Sequence, residues 1–435
     1  MAVELVIVVV IVGAVIWLID RARKRRRQTA PAAASPVRQA AQHLLPTFKV
    51  VALGVPGSGK TALLASMFYR QWAPRPELGN YYLRLPHSDA YYLSSLYREI
   101  SDPTGLWPSG TGVGQEREFE FGCMLQLDGA HHELARIKYI DYAGELLTEA
   151  SPEHLSSFEV LLRHVEEASV MLVIIDGLRL RQYFDGHVNA AFRLDLAIRP
   201  YIQLALRATC PVQFLITKWD LLQPIGFDDR ERLRKCRDAL LSNEAFRALV
   251  LTHNRDRMLR LIPVSAVGYG FADLAPGGHV VKRADAEASP TYVEIPLCAV
   301  VPDLFQQVEH ALDEAARTQV MGELQRLMGR GGGWANLAAP GMAQTPARRL
   351  LRSLAGTVPN GGLAAESVEL LAEWLARPFL QEREDAFRQV DAFAAQRATI
   401  LRARSALLEI MRRQVVSLQE QLPESVLSYE LRYLP

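Results

Sequence analysis

Gly54-Val55-Pro56-Gly57-Ser58-Gly59-Lys60-Thr61 matches G-x-x-x-x-G-K-[ST] at every fixed position. Its flanks make this stretch decisive. Phe48 to Leu53 is an apolar run suited to a buried parallel strand, and Thr61 to Phe68 is apolar and helix-forming. A loop that ends on a helix N-terminus offers backbone N–H groups and the positive end of the helix dipole to an anion. Gly54, Gly57, Ser58 and Gly59 would cradle phosphates, Lys60 would reach the β- and γ-oxygens, and the Thr61 hydroxyl would coordinate Mg²⁺. The expectation is a nucleoside triphosphate site on an α/β fold.

Thr217-Lys218-Trp219-Asp220 follows the strand-like run Val212 to Ile216, which puts Asp220 at the carboxyl end of a sheet strand, where open α/β folds bind ligands. A carboxylate there accepts from both N1–H and the exocyclic amine of guanine. Adenine has no such pair of donors, so the motif favours GTP and GDP over ATP. Leu261 to Val264 is a further strand, and the Ser265-Ala266 after it can support the same base through a backbone N–H. Alone, either motif is weak; their order along the chain gives them force. Asp141-Tyr142-Ala143-Gly144 lies between the two sites, behind the strand-like Leu134 to Ile140. Asp141 can hold Mg²⁺ through a water, and Gly144 lets its N–H approach a γ-phosphate.

With these four elements in order, the chain resembles the translation-factor-related class of P-loop GTPases over roughly Thr47 to Ala315. Within that class it looks most like bacterial membrane-associated or system-associated GTPases, and its layout is similar to the beta subunit of the signal recognition particle receptor. The resemblance implies a mostly parallel, six-stranded core with helices on both faces. It gives Lys60 and Thr61 the phosphate and metal roles, Asp141 and Gly144 the γ-phosphate sensing role, and Lys218, Asp220 and Ser265 the guanine pocket, with Thr217 and Ala266 beside them. Two residues depart from the class. Glu145 stands where many members carry a water-orienting Gln, and is either a catalytic residue or a dipole-favoured opening charge of the next helix. Pro56 fixes the backbone beside the γ-phosphate position.

Residues 72–115 form an insert much longer than an ordinary connection, within the switch region. Thr111 is the first choice for the switch threonine that joins the Mg²⁺ shell, and Thr104 the second. Tyr81, Tyr82, Tyr91, Tyr92 and Tyr97 make this insert either a partner surface or a local packing unit.

Met1 to Ile19 is apolar apart from Glu4 and is followed by Arg21, Arg23, Lys24, Arg25, Arg26 and Arg27. At about 1.5 Å per residue such a run just spans a bilayer core of about 30 Å. Basic residues behind the apolar segment argue for a retained anchor over a cleaved signal, with the N-terminus outside and the nucleotide domain in the cytoplasm. The expected organisation is an anchor in the cell's inner membrane over 1–20, a basic linker over 21–46, a GTPase domain over 47–328, a Gly/Pro-rich linker over 329–347 and a helical region over 348–435.

The formal net charge of the 435 residues is +1, which provides no global field for nucleic acid. Cys123, Cys210, Cys236 and Cys298 lack C-x-x-C spacing and read mostly as small core residues. His131-His132 belongs to an Asp128-Gly129 hairpin turn. Pro302 to Met328 reads as the last helix of the domain. From Phe379 to Leu422 an apolar residue recurs every seven positions, through Phe387, Ala394, Leu401, Leu408 and Val415. That pattern fits a coiled-coil arm for a homodimer or a protein partner, and equally a long helix folded back on the preceding helix, Ala364 to Ala376. Three functions fit the sequence: a hydrolysing regulatory switch, a GTP-bound receptor or scaffold that does not hydrolyse, and an assembly ATPase in which Asp220 is idle.

Overall fold

The computed structural model describes residues 45–108, 117–142, 155–311, 370, 371, 374 and 392–428. The anchor over 1–20, most of the basic linker, Thr111, Gly144, Glu145 and the 329–347 linker lie outside them. Among the described residues no helix is long and apolar enough to cross a membrane, and Met1 to Ile19 is not among them.

The apolar run before the phosphate loop forms β1 (Thr47–Gly54), the middle strand of a seven-stranded sheet. The others are β2 (Tyr81–Arg84), β3 (Arg117–Leu127), β4 (Ala130–Asp141), β5 (Val170–Asp176), β6 (Val212–Thr217) and β7 (Leu259–Pro263), in the order β2-β3-β4-β1-β5-β6-β7. β4, β1, β5, β6 and β7 run parallel, whereas β2–β3 and β3–β4 are antiparallel. Every residue of β5, β6 and β7 is buried, which is why these strands are mostly apolar in sequence. β3 and β4 are joined at Asp128-Gly129 with φ of 51° and 77°, the positive values that a tight two-residue hairpin requires.

Seven strands replace the expected six. The additional strand, β2, comes from the 72–115 insert. Pro76–Leu78 forms a single 3₁₀ turn that reverses at Gly79 (φ 64°) and delivers Tyr81–Arg84 to the free edge of β3. The insert then builds a helix, so its described part is a structured layer. α1 (Lys60–Gln71) carries the phosphate loop's lysine and packs against this second helix, α2 (His87–Ser101). The tyrosines act mainly as packing. Tyr97 stacks on Tyr69 at 3.8 Å, Tyr92 stacks on Phe119 at 6.3 Å, and Tyr81 is buried; only Tyr91, 74% exposed, faces outward.

The remaining helices are α3 (Leu155–Glu166), α4 (Gly177–Phe184), α5 (Ala190–Arg207), α6 (Asp229–Ser242), α7 (Glu244–His253), α8 (Ile295–Cys298), α9 (Val300–Ala311) and α10 (Ala392–Gln421). A small ribbon, β8 (Ala272–Leu274) with β9 (Val280–Lys282), sits apart from the main sheet. The helix expected over Pro302 to Met328 begins at Val300, and its extent beyond Ala311 lies outside the described residues.

The described part of the C-terminal region lies against the elements of the sheet-bearing body. α10 packs on α8, α9 and β4 and buries Ala403, Leu407, Leu408, Met411, Val415 and Leu418. A Cβ on Gly79 would stand 2.8 Å from Ile410, so the turn before β2 also touches this helix. Past Pro423, Val426 bridges Arg260 antiparallel, and the Leu427 N–H donates to the Leu259 carbonyl at 2.9 Å. The chain thereby covers the edge of β7 that would otherwise be open. Beneath it, fully buried Arg260 donates from Nε to both oxygens of Asp303 at 2.7 and 2.8 Å, tying β7 to α9.

Candidate nucleotide site

Because β4, β1, β5, β6 and β7 are parallel, their carboxyl ends share one rim. Gly54, Asp141, Asp176, Thr217 and Val264 stand along it. The chain leaves β1 toward β4 on one side and toward β5 on the other, so the phosphate loop lies at the point where strand order reverses, the usual ligand crevice of open α/β sheets.

The loop's glycines have separate reasons. A Cβ on Gly54 would lie 2.7 Å from the Ile174 Cβ, which leaves no room for a side chain. Gly57 and Gly59 have φ of 71° and 89°, a region that L residues seldom occupy. Gly59 caps α1 without a side-chain hydrogen bond, and the first turn of that helix has no acidic residue, so nothing of its own opposes an anion there. Lys60 Nζ donates to the Gly54 carbonyl at 2.7 Å, holding the ammonium inside the loop. The Ser58 hydroxyl is fully buried and has no hydrogen-bond partner.

Thr61 Oγ1 lies 3.4 Å from Asp141 Oδ2, across the gap between β1 and β4. Asp141 Oδ1 is buried without a partner among the described residues, and burial pushes this carboxyl up to about 6 despite Lys60 and the Thr61 hydrogen bond. A desolvated carboxylate with one uncommitted oxygen beside a threonine hydroxyl is a donor set for a hard cation, and it fits Mg²⁺.

On the other side of the loop, Thr217 Oγ1 is 2.6 Å from the Ser58 carbonyl. Its hydroxyl braces the phosphate loop against β6. Lys218 stands at φ 51° and binds the Gly57 carbonyl and Asp176 Oδ1, each at 2.8 Å. Asp176 was missed by sequence reasoning. Its signal was present, an apolar run from Val170 to Ile175 that ends in Asp-Gly. Gly177 must be glycine because a Cβ would lie 2.1 Å from the Thr217 carbonyl.

Asp220 lies in a 3₁₀ turn, Trp219–Ile225, and is 7% exposed. Its Oδ1 accepts from Ser265 Oγ at 2.5 Å, while the Ser265 oxygen accepts from the Gly268 N–H at 2.8 Å. Burial holds the Asp220 carboxyl at about 6, offset in part by the Ser265 hydrogen bond. The Ser265 hydroxyl thus fixes the Asp220 carboxylate. The Ala266 carbonyl faces Ser66 Oγ at 2.9 Å and anchors this loop to α1.

Thr104, the second choice for the switch threonine, is committed elsewhere. Its N–H and hydroxyl both donate to Asp102 Oδ1, at 2.9 and 2.8 Å. Thr111, Gly144 and Glu145 lie outside the described residues.

No protein-family model matches the chain, and no curated protein matches it. Solved structures similar to it include three of G-domains. A GDP-bound point mutant of the NFeoB protein from S. thermophilus shares 14% identity, with 84% of this chain and 98% of that one covered, at a TM-score of 0.26. The FeoB G-domain from Methanococcus jannaschii also shares 14%, covering 51% and 88%, at 0.26. A second GDP-bound mutant of the S. thermophilus G-domain shares 12%, covering 87% and 99%, at 0.27. At such scores these likenesses add nothing to what the rim itself displays. The strand order and the loop at its reversal point make this a P-loop α/β fold with a mostly parallel sheet.

Proposed function

We propose that this chain binds GTP and GDP with Mg²⁺ and hydrolyses GTP slowly, so that its nucleotide state sets a regulatory switch. One observation carries the reading: the Asp220 carboxylate, buried and fixed by Ser265, stands on the same rim as Gly54–Thr61. A carboxylate has acceptor capacity for Ser265 and for two guanine donors together. Adenine would leave it desolvated and poorly paired, which disfavours the ATPase reading.

Lys60 exchanges its loop carbonyl for β- and γ-phosphate oxygens, and the α1 N-terminus supplies N–H donors. Thr61 and Asp141 would hold the cation, which would neutralise phosphate charge when bound. Glu145 stands where the water-orienting Gln would be, but it has no amide donor and is read as the opening charge of the next helix, so hydrolysis is slow. Thr111, the first choice for the switch threonine, would complete the cation shell in the triphosphate state. Single-turnover hydrolysis by the full chain should fall at or below about 10⁻⁴–10⁻² s⁻¹. Glu145→Gln should leave that rate unchanged or raise it; a tenfold loss would make Glu145 a catalytic residue. A rate equal to that of free GTP would favour a GTP-bound scaffold instead.

The same proposal places Met1 to Ile19 in the bilayer, with the arginine-rich side and the nucleotide domain in the cytoplasm. Deleting Met1 to Arg27 should release a protein that still binds GDP. Retention of that variant in carbonate-washed membranes would contradict the single anchor. A protein partner, or a second copy of the chain, would read the nucleotide state through the surface of residues 81–115 or the C-terminal helices.

A further inference from the structure

Outside the residues that face a nucleotide, one carboxylate collects an unusual number of donors. Asp229, at the start of α6, accepts from Trp219 Nε1 at 2.7 Å, from Tyr292 OH at 3.1 Å, and from Tyr269 OH and Arg232. The Arg232 guanidinium lies over the Tyr269 ring at 5.1 Å and the Trp219 ring at 5.6 Å, so cation and aromatic rings close around the acid.

The three aromatic spokes come from three different segments, and each is the chain neighbour of a residue that builds the base reader. Trp219 precedes Asp220. Tyr269 follows Gly268, whose N–H donates to Ser265 Oγ. Tyr292 follows Thr291, whose N–H and carbonyl exchange hydrogen bonds with Ser265 at 2.9 and 3.0 Å. Tyr292 also has φ 57°, a left-handed conformation that a bulky residue adopts only when its surroundings enforce it. The Ser265–Asp220 hydrogen bond joins the two base-reading loops at the site, and Asp229 joins the same loops again behind it.

We propose that Asp229 is a positioning residue for base selection, a brace that fixes the spacing of the Asp220 and Ser265 loops and thereby the width of the guanine slot. It touches no nucleotide and acts through Trp219, Tyr269 and Tyr292. The inference rests on the guanine reading above. Asparagine at this position offers one acceptor oxygen and an amide that opposes the incoming donors, so the spokes part and the two loops lose their common reference.

The test is the ratio of GDP to ADP affinity, measured by competition on the full chain with Mg²⁺, for the parent, Asp229→Asn, Tyr269→Phe and Tyr292→Phe. The brace predicts a fall in that ratio of at least tenfold for Asp229→Asn and of a few fold for each tyrosine variant, through loss of GDP affinity with ADP affinity unchanged. A purely structural acid would lower the melting temperature and leave the ratio where it was, which overturns the proposal. Should Asp229→Asn fail to fold, the tyrosine variants decide by the same ratio. A parent that binds GDP and ADP equally overturns the guanine reading and the brace with it; a discriminating parent with unchanged variants overturns the brace alone.

Discussion

Ser265 Oγ and Asp220 Oδ1 are 2.5 Å apart, although the two residues come from loops that follow different strands. The contact exists because β6 and β7 are parallel neighbours, so the turns that leave them meet above the rim. It turns a buried, costly carboxylate into a directed acceptor whose orientation is set before any ligand arrives.

Replacing Asp220 with Asn should therefore weaken GDP binding by about 2–3 kcal/mol, because a charge-assisted pair of hydrogen bonds gives way to one that leaves a guanine donor poorly paired. The nucleotide-free protein should melt at a higher temperature in the same variant, since a desolvated charge has been removed while Ser265 keeps an acceptor. Isothermal titration and thermal unfolding read the two effects. A loss of affinity accompanied by a lower melting temperature would point to damage to the fold.

Acidification should separate binding from stability. Asp141 and Asp220 stand at about 6 in the folded protein, above the ordinary carboxylate value of about 4. Between those two values the folded chain holds protons that the unfolded chain has released. The contribution of these two groups to stability is therefore greatest at the acid end of the window and is lost as pH rises through 6. Guanine and Mg²⁺ need both carboxylates ionised, so GDP affinity should fall about tenfold per group between pH 7.5 and 5. Asp220→Asn should have a shallower pH profile than the parent.

Asp303→Ala should cost about 3–5 kcal/mol of stability, because it removes the buried carboxylate that the Arg260 guanidinium meets between β7 and α9. Chemical denaturation gives the figure. A cost below about 1 kcal/mol would mean that water reaches this pair.

Much of the site was legible because its parts are contiguous in sequence or fall at strand ends. Gly54–Thr61 is a single run, and Asp220 and Ser265 each follow an apolar strand, so reading the strands located them. The Thr217 brace was not legible. Its acceptor is a carbonyl 159 positions away, and no residue type announces it. Asp176 went unread because an Asp-Gly after a strand is equally a turn. β2 was hidden because four residues are too few to show a period. The heptad of Leu408, Val415 and Leu422 left two readings open for a physical reason: a stripe that seats a helix on its own domain and a stripe that zips two helices together have nearly the same spacing.

The most direct measurement is competition between GDP and ADP for the full chain in the presence of Mg²⁺. The buried Asp220–Ser265 pair predicts that GDP binds at least about 100-fold more tightly, a difference of roughly 2.7 kcal/mol. Equal affinities for the two nucleotides would contradict the assignment of Asp220 as the guanine reader.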